Sequence, residues 1–158
     1  MTAGRADEHG LEEQTCWSLV AGARHGVLAT VHEVRGADAV PVVFGLLAGP
    51  RVVVPVDAVK PKRRTRLQRV INVERDPRCV LLVDHYDDDW GRLWWVRVHA
   101  TAVESPVTTD ALEVLRARYP RYGEPGALVT VLVLVPTAVT GWAARPPETP
   151  RPSRPRRP

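Results

Sequence analysis

The sequence predicts a mainly β fold, a small β-barrel carrying a few short helices, and three observations predict it. Six apolar, β-branched segments recur along the chain. Tight turns built on Gly, Pro and Asp separate them, as at Gly49-Pro50. Only three short stretches show helical spacing, and 158 residues suit one domain with one core.

Residues 1–10 are polar and read as a flexible N-terminus. Leu11 to Val20 reads as a helix with Leu11, Thr15, Cys16, Leu19 and Val20 inward and Gly22 as its end. Gly26 to His32 is a first strand, Ala39 to Leu47 a second, and Arg51 to Val56 a third. A fourth runs from Cys79 to about Asp84, and an acidic turn, Asp87-Asp88-Asp89, leads to a fifth from Leu93 to Val103. Pro106 and the Thr108-Thr109-Asp110 cap open a helix through Arg118, with Leu112 and Leu115 inward. The last strand spans Ala127 to Val135 and continues toward Trp142.

Between the third and fourth strands lies the most distinctive stretch. Six cations and no acid fall between Lys60 and Arg69. Leu67, Val70, Ile71 and Glu74 are spaced as one buried helical face, so the cations belong to a loop and the start of a short helix. A strand handing over to a helix gathers unpaired N–H groups whose dipole favours an anion, and the added cations suit a phosphate. The same run also has the composition of a solvated basic helix.

The net charge of +4 needs dissection. Residues 145–158 hold five arginines against Glu148, whereas residues 1–144 balance at 17 basic and 17 acidic side chains. The basic character is a property of an Arg/Pro-rich tail that holds six of the 15 prolines and reads as disordered. A neutral body argues against nucleic-acid binding. No apolar run reaches the length of a membrane helix, and Cys16 and Cys79 have no metal-like spacing, so the expectation is a cytoplasmic protein with reduced, buried thiols.

In the fifth strand Trp94, Val96, Val98 and Ala100 share a core face, and Trp95, Arg97, His99 and Thr101 share the other. The second face reads either as the wall of a pocket for a planar ligand or as a solvated sheet surface. Asp84-His85-Tyr86-Asp87-Asp88-Asp89 reads as a strand end and turn, since no further ligand cluster completes a metal site. No serine elbow, zinc-protease motif or phosphate-binding P-loop is present, so any enzymatic chemistry falls to a cofactor and no catalytic residue is named. The second and last strands are apolar on both faces, which predicts a symmetric partner and a homodimer.

The ordered series Leu28-Ala29-Thr30-Val31, Val40-Pro41-Val42-Val43-Phe44, Lys60-Pro61-Lys62-Arg63, Asp76-Pro77-Arg78, Asp84-His85-Tyr86, Asp89-Trp90, Leu93-Trp94-Trp95-Val96-Arg97 and Gly141-Trp142 resembles the split β-barrel flavin-binding proteins of the pyridoxamine-phosphate-oxidase type. It is most similar to their actinobacterial deazaflavin (coenzyme F420)-dependent oxidoreductase branch, over about residues 11–143 of a cofactor-binding domain expected at residues 11–144. The resemblance implies a homodimeric, FMN-binding-like split barrel with cofactor sites at the subunit interface, and a hydride transfer between reduced F420 and a small organic acceptor. It implies that the backbone of Val54, Pro55 and Val56 runs along the ring and that Lys60, Lys62, Arg63 and Arg66 hold the phosphate. It further implies that Phe44 packs near the ring and that Trp95 and Arg97 approach from the partner. Under the same resemblance, Arg64 and Arg69 are surplus cations that could meet the polyglutamate tail of F420. FMN in place of F420 is the alternative, and a non-enzymatic haem-binding barrel with His85 or His99 as axial ligand is another.

Overall fold

In the computed structural model, the chain is described over residues 10–57 and 66–145. Its elements are α1 (Glu13–Gly22), β1 (Gly26–His32), β2 (Gly36–Val42), β3 (Gly45–Leu47), β4 (Arg51–Asp57), α2 (Gln68–Arg75), β5 (Arg78–His85), β6 (Trp94–Ser105), α3 (Thr109–Arg118) and β7 (Leu128–Ala143). The seven strands form one antiparallel sheet in the order β2-β1-β5-β6-β7-β4-β3.

The sheet curls around an inner face whose buried residues are apolar but for Thr30 of β1. Leu28 pairs with Leu81, Leu81 with Val98, Ala102 with Leu134, and Leu134 with Val52. All these side chains are buried in the interior. Each buried aliphatic side chain contributes about 1.5–3 kcal/mol, so a one-residue slip of register is strongly disfavoured.

The sheet does not close. Its two edge strands, β2 and β3, are consecutive in the chain, and only Val43 and Phe44 separate them. The single second strand expected from sequence is therefore two strands at opposite edges. Phe44 explains the break: its ring turns into the core, fully buried, and the backbone leaves the sheet with it. The Arg118 guanidinium lies 5.2 Å from the centre of that ring. The split between the edges is thus the organising irregularity of the barrel.

α3 begins where Thr108 accepts a hydrogen bond from the Ala111 N–H at 3.4 Å. Ala111 and Leu115 pack on Leu47, Val53 and Val131, the outer face of β3, β4 and β7. A Cβ on Gly45 would meet Val114 Cγ2 at 2.9 Å, so only glycine admits the helix this close. Helical cover therefore supplies part of what the sequence argument assigned to a partner subunit.

α1 places Cys16 and Val20 in the core, and Cys16 Sγ packs so close to Gly141 that a Cβ there would meet it at 2.7 Å. Arg118 closes the helix: its guanidinium donates to the carbonyls of Ala21, at 3.3 Å, and of Ala23. α2 buries Val70, Asn72 and Val73, whereas Ile71 is only half-buried and Glu74 is exposed. The buried face is rotated from the expected one because Asn72 is drawn inward, donating to Thr30 Oγ1 at 2.8 Å and to Asp38 Oδ2 at 3.1 Å. β7 runs unbroken through residue 143, and it accommodates a bulge at Thr137 by shifting register between His99 and Ala100 of β6.

Candidate functional site

A cleft of about 420 Å³ opens at the split. Pro41, Val42 and Val43 form one wall, where β2 leaves the sheet. Tyr119, Arg121 and Tyr122, which follow α3, form another, and Pro55, Asp57 and Arg69 form the floor.

β4 gives this cleft a strand edge that no strand pairs beyond Val53, where the Pro55 carbonyl accepts from Arg69 Nη2 instead. On one side Val54, Pro55 and Val56 pair with Leu132, Val131 and Thr130 of β7. On the other side β3 is too short to follow, since it pairs only with Arg51, Val52 and Val53. The side chains of Val54 and Val56 enter the core, while Pro55 faces the cleft. A planar, hydrogen-bonding ligand can lie along such an edge without displacing a strand.

Two arginines flank the start of α2, and their surroundings differ sharply. Arg66 donates to both oxygens of Glu74, at 2.6 and 2.5 Å, and to Glu104 at 2.6 Å. Its hydrogen bonds to Glu74 and then to Glu104 raise its pKa, and Arg66 in turn lowers that of Glu74. Arg69 is half-buried and makes one hydrogen bond, from Nη2 to the Pro55 carbonyl at 3.2 Å. Its Nε is buried without a partner. Desolvation lowers its pKa, offset in part by Asp57. Asp57 accepts from the Tyr122 hydroxyl at 3.2 Å through one oxygen, and its other oxygen is buried and unpaired. Burial, then the hydrogen bond to Asp57, pushes the Tyr122 phenol well above its ordinary value. The cleft therefore holds a separated Arg–Asp pair, each short of partners among the described residues.

A second groove, of about 640 Å³, lies on the outer face of the sheet, lined by residues that include Ala29, Val31, Val80, His99, Thr101 and Thr137. The same face carries Trp95 and Arg97, whose guanidinium stacks 4.4 Å from the indole ring.

The expected site residues thus divide. Pro55 lines the cleft and Arg66 stands at the start of α2, but Arg66 is held by two carboxylates. Val54 and Val56 offer backbone only. Phe44 lies in the core beneath Arg118. Trp95 and Arg97 occupy the outer face rather than the cleft. Lys60, Lys62 and Arg63 lie outside the described residues. His85 stacks on Trp94 with ring centres 6.3 Å apart, and His99 lines the outer groove. The sequence reading did not assign His25, Asp57, Tyr119, Arg121 or Tyr122 to a site. The Tyr122–Asp57 hydrogen bond spans 65 positions, and no local pattern announces it.

The fold recurs among solved structures. A conserved hypothetical protein of Mycobacterium tuberculosis matches 90% of this chain, and 91% of its own, with a TM-score of 0.70 and 18% sequence identity. A FAD-binding protein of Mesorhizobium loti matches with a TM-score of 0.63 and 18% identity, over 84% of this chain and 94% of its own. A proposed pyridoxamine 5′-phosphate oxidase of Corynebacterium glutamicum matches with a TM-score of 0.53 and 18% identity, over the same shares. No protein-family model and no curated protein matches the chain. At these identities the likeness is one of fold, and the chain has the split β-barrel seen in flavin-binding and pyridoxamine-phosphate-oxidase-like proteins.

Proposed function

We propose that the chain is a deazaflavin (coenzyme F420)-dependent oxidoreductase that moves a hydride between the reduced cofactor and a small organic acceptor. The observation that carries this reading is the β4 edge beyond Val53, which no strand covers; it floors a cleft with one apolar wall, Pro41, Val42 and Val43, and its chain continues from Asp57 into the cation-rich segment. Val54, Pro55 and Val56 would offer their backbone to the ring, with the walls of the cleft excluding water from it. Lys60, Lys62 and Arg63 would meet the phosphate, each charge-assisted contact being worth about 1.5–3 kcal/mol. The bound deazaflavin supplies the hydride chemistry; the protein binds, orients and desolvates.

The FAD-binding neighbour of M. loti supports a flavin-type ligand generally, and FMN is the alternative in the same cleft. A homodimer belongs to the same reading. The outer face of β1, β6 and β7 leaves Val31, Val103 and Val135 exposed beside the groove, and a second copy would cover them. Trp95 and Arg97 would then approach the partner's cofactor.

Titration of the purified chain with F420 and, separately, with FMN, followed by fluorescence, tests the reading. Selective F420 binding that Lys60→Ala and Lys62→Ala weaken is the expected outcome. Selective FMN binding would move the protein to the flavin branch, and binding of neither would overturn both.

A further inference from the structure

We propose that the cleft between Arg69 and Arg121 recognises the carboxylate of a small organic acid. The inference rests on the reading above only for the acid's role as hydride acceptor; its binding does not depend on the cofactor.

Arg69 carries five N–H donors and no acceptor. Among the described residues it makes one hydrogen bond, to Pro55, and its Nε is buried and unpaired. Among the described residues no carboxylate lies within ion-pair distance of it, Asp57 acting on it only from farther away, while Arg66, three residues earlier, has two. A half-buried guanidinium in this condition is costly alone and is stabilised by an acceptor entering from the cleft.

The surroundings select an anion and then limit its charge. Arg121 and His25 also line the cleft, and Arg24 and Arg118 stand 5.2 and 5.9 Å from the Tyr119 ring. No ion pair neutralises any of these arginines among the described residues. Asp57 opposes them from the floor with one unpaired oxygen. A dianionic phosphate would meet about twice the repulsion from Asp57 that a monoanion meets. A monocarboxylate fits the balance better, and a hydroxyl or N–H beside it could donate to Asp57. Pro41, Val43 and Tyr119 offer apolar surface to the body of the acid.

The test uses the full chain without cofactor and benzoate as the probe, with benzamide as its neutral isostere, followed by saturation-transfer NMR. Benzoate is expected to bind and benzamide not to. Arg69→Met and Arg121→Ala should each weaken benzoate by about tenfold, and Arg121, an exposed residue, should leave thermal unfolding unchanged. Absence of benzoate binding at about 10 mM, or equal binding by wild type and both variants, overturns the proposal. So does tighter binding of inorganic phosphate than of benzoate. A γ-glutamyl dipeptide that binds where benzoate does not would transfer the carboxylate to a cofactor tail and overturn the assignment to an acceptor. Because the assay contains no cofactor, its failure leaves the F420 titration standing, and failure of that titration leaves this result standing.

Discussion

Arg66 and Glu104 fasten two distant parts of the chain: Nη2 of the arginine lies 2.6 Å from Oε2 of the glutamate, joining the start of α2 to β6. Thr130 of β7 donates to the other Glu104 oxygen at 2.7 Å, so the link extends across the sheet. With Glu74 also bound, one guanidinium serves two carboxylates, and the cluster as a whole is anionic. A phosphate approaching it meets net repulsion. We therefore propose that Arg66 is an anchor at the end of the cationic segment.

This assignment separates Arg66 from the lysines before it. Arg66→Ala is expected to weaken F420 binding by less than about threefold, whereas Lys60→Ala and Lys62→Ala should each weaken it by about tenfold. Fluorescence titration of the three variants decides the matter. A loss at Arg66 equal to that at the lysines would return it to the phosphate site.

Asn72 should matter more than its polarity suggests. It is 2% exposed and bonds Thr30, Asp38 and Gln68, tying α2 to β1 and β2. Asn72→Ala leaves the Thr30 hydroxyl without this donor in the interior, and a cost of about 1–3 kcal/mol is expected. Urea unfolding measures it. A change within error would mean that the rest of α2 already fixes the helix.

The barrel was legible in the sequence because its inner face is written locally. Alternation in Leu93 to Val103 and the apolar runs of β1, β4 and β5 need only neighbours two positions away. The break at Phe44 was not legible, since Val43-Phe44 continues the apolar pattern of a strand and only tertiary packing turns the ring inward. The cationic run drew attention to the end of β4 that floors the cleft for a local reason, its unbroken charge. Asp57, Tyr119, Arg121 and Tyr122 stayed hidden because they meet across the split, and the segment after α3 has no periodicity of its own. Arg66 and Arg69 look alike in sequence, and only the positions of Glu74, Glu104 and Asp57 distinguish them.

The two thiols predict a pH dependence. Burial pushes Cys79 up to about 11 from 9.0, and it raises Cys16 as well. A raised folded pKa favours the protonated form, so its contribution is fully present below about pH 9 and is lost as pH rises through the folded value. Stability should fall between about pH 9 and 11, and Cys79→Ala should flatten that slope. Thermal unfolding across the range is the measurement. At neutral pH neither thiol should react with a thiol reagent until the chain unfolds, because the nucleophile is the thiolate and both groups are buried. Rapid labelling of the native protein would contradict the burial argument.

The outer sheet face makes the final prediction. α3 covers the outer surface of β3, β4 and the start of β7, but it does not reach the other end of the sheet. There Val31 is 37% exposed and lines the groove with Ala29 and Val80. A charge at this position faces water in a lone copy and costs little, whereas in a symmetric dimer two such charges are brought into one desolvated interface. Val31→Glu is therefore expected to convert a dimer to a monomer in sedimentation velocity while leaving the melting transition of the monomer intact. A wild-type chain that sediments as a monomer at all concentrations would refute the dimer directly. A dimer that Val31→Glu leaves unchanged would place the interface elsewhere, and Trp95 and Arg97 would then lose their proposed access to the partner's cleft.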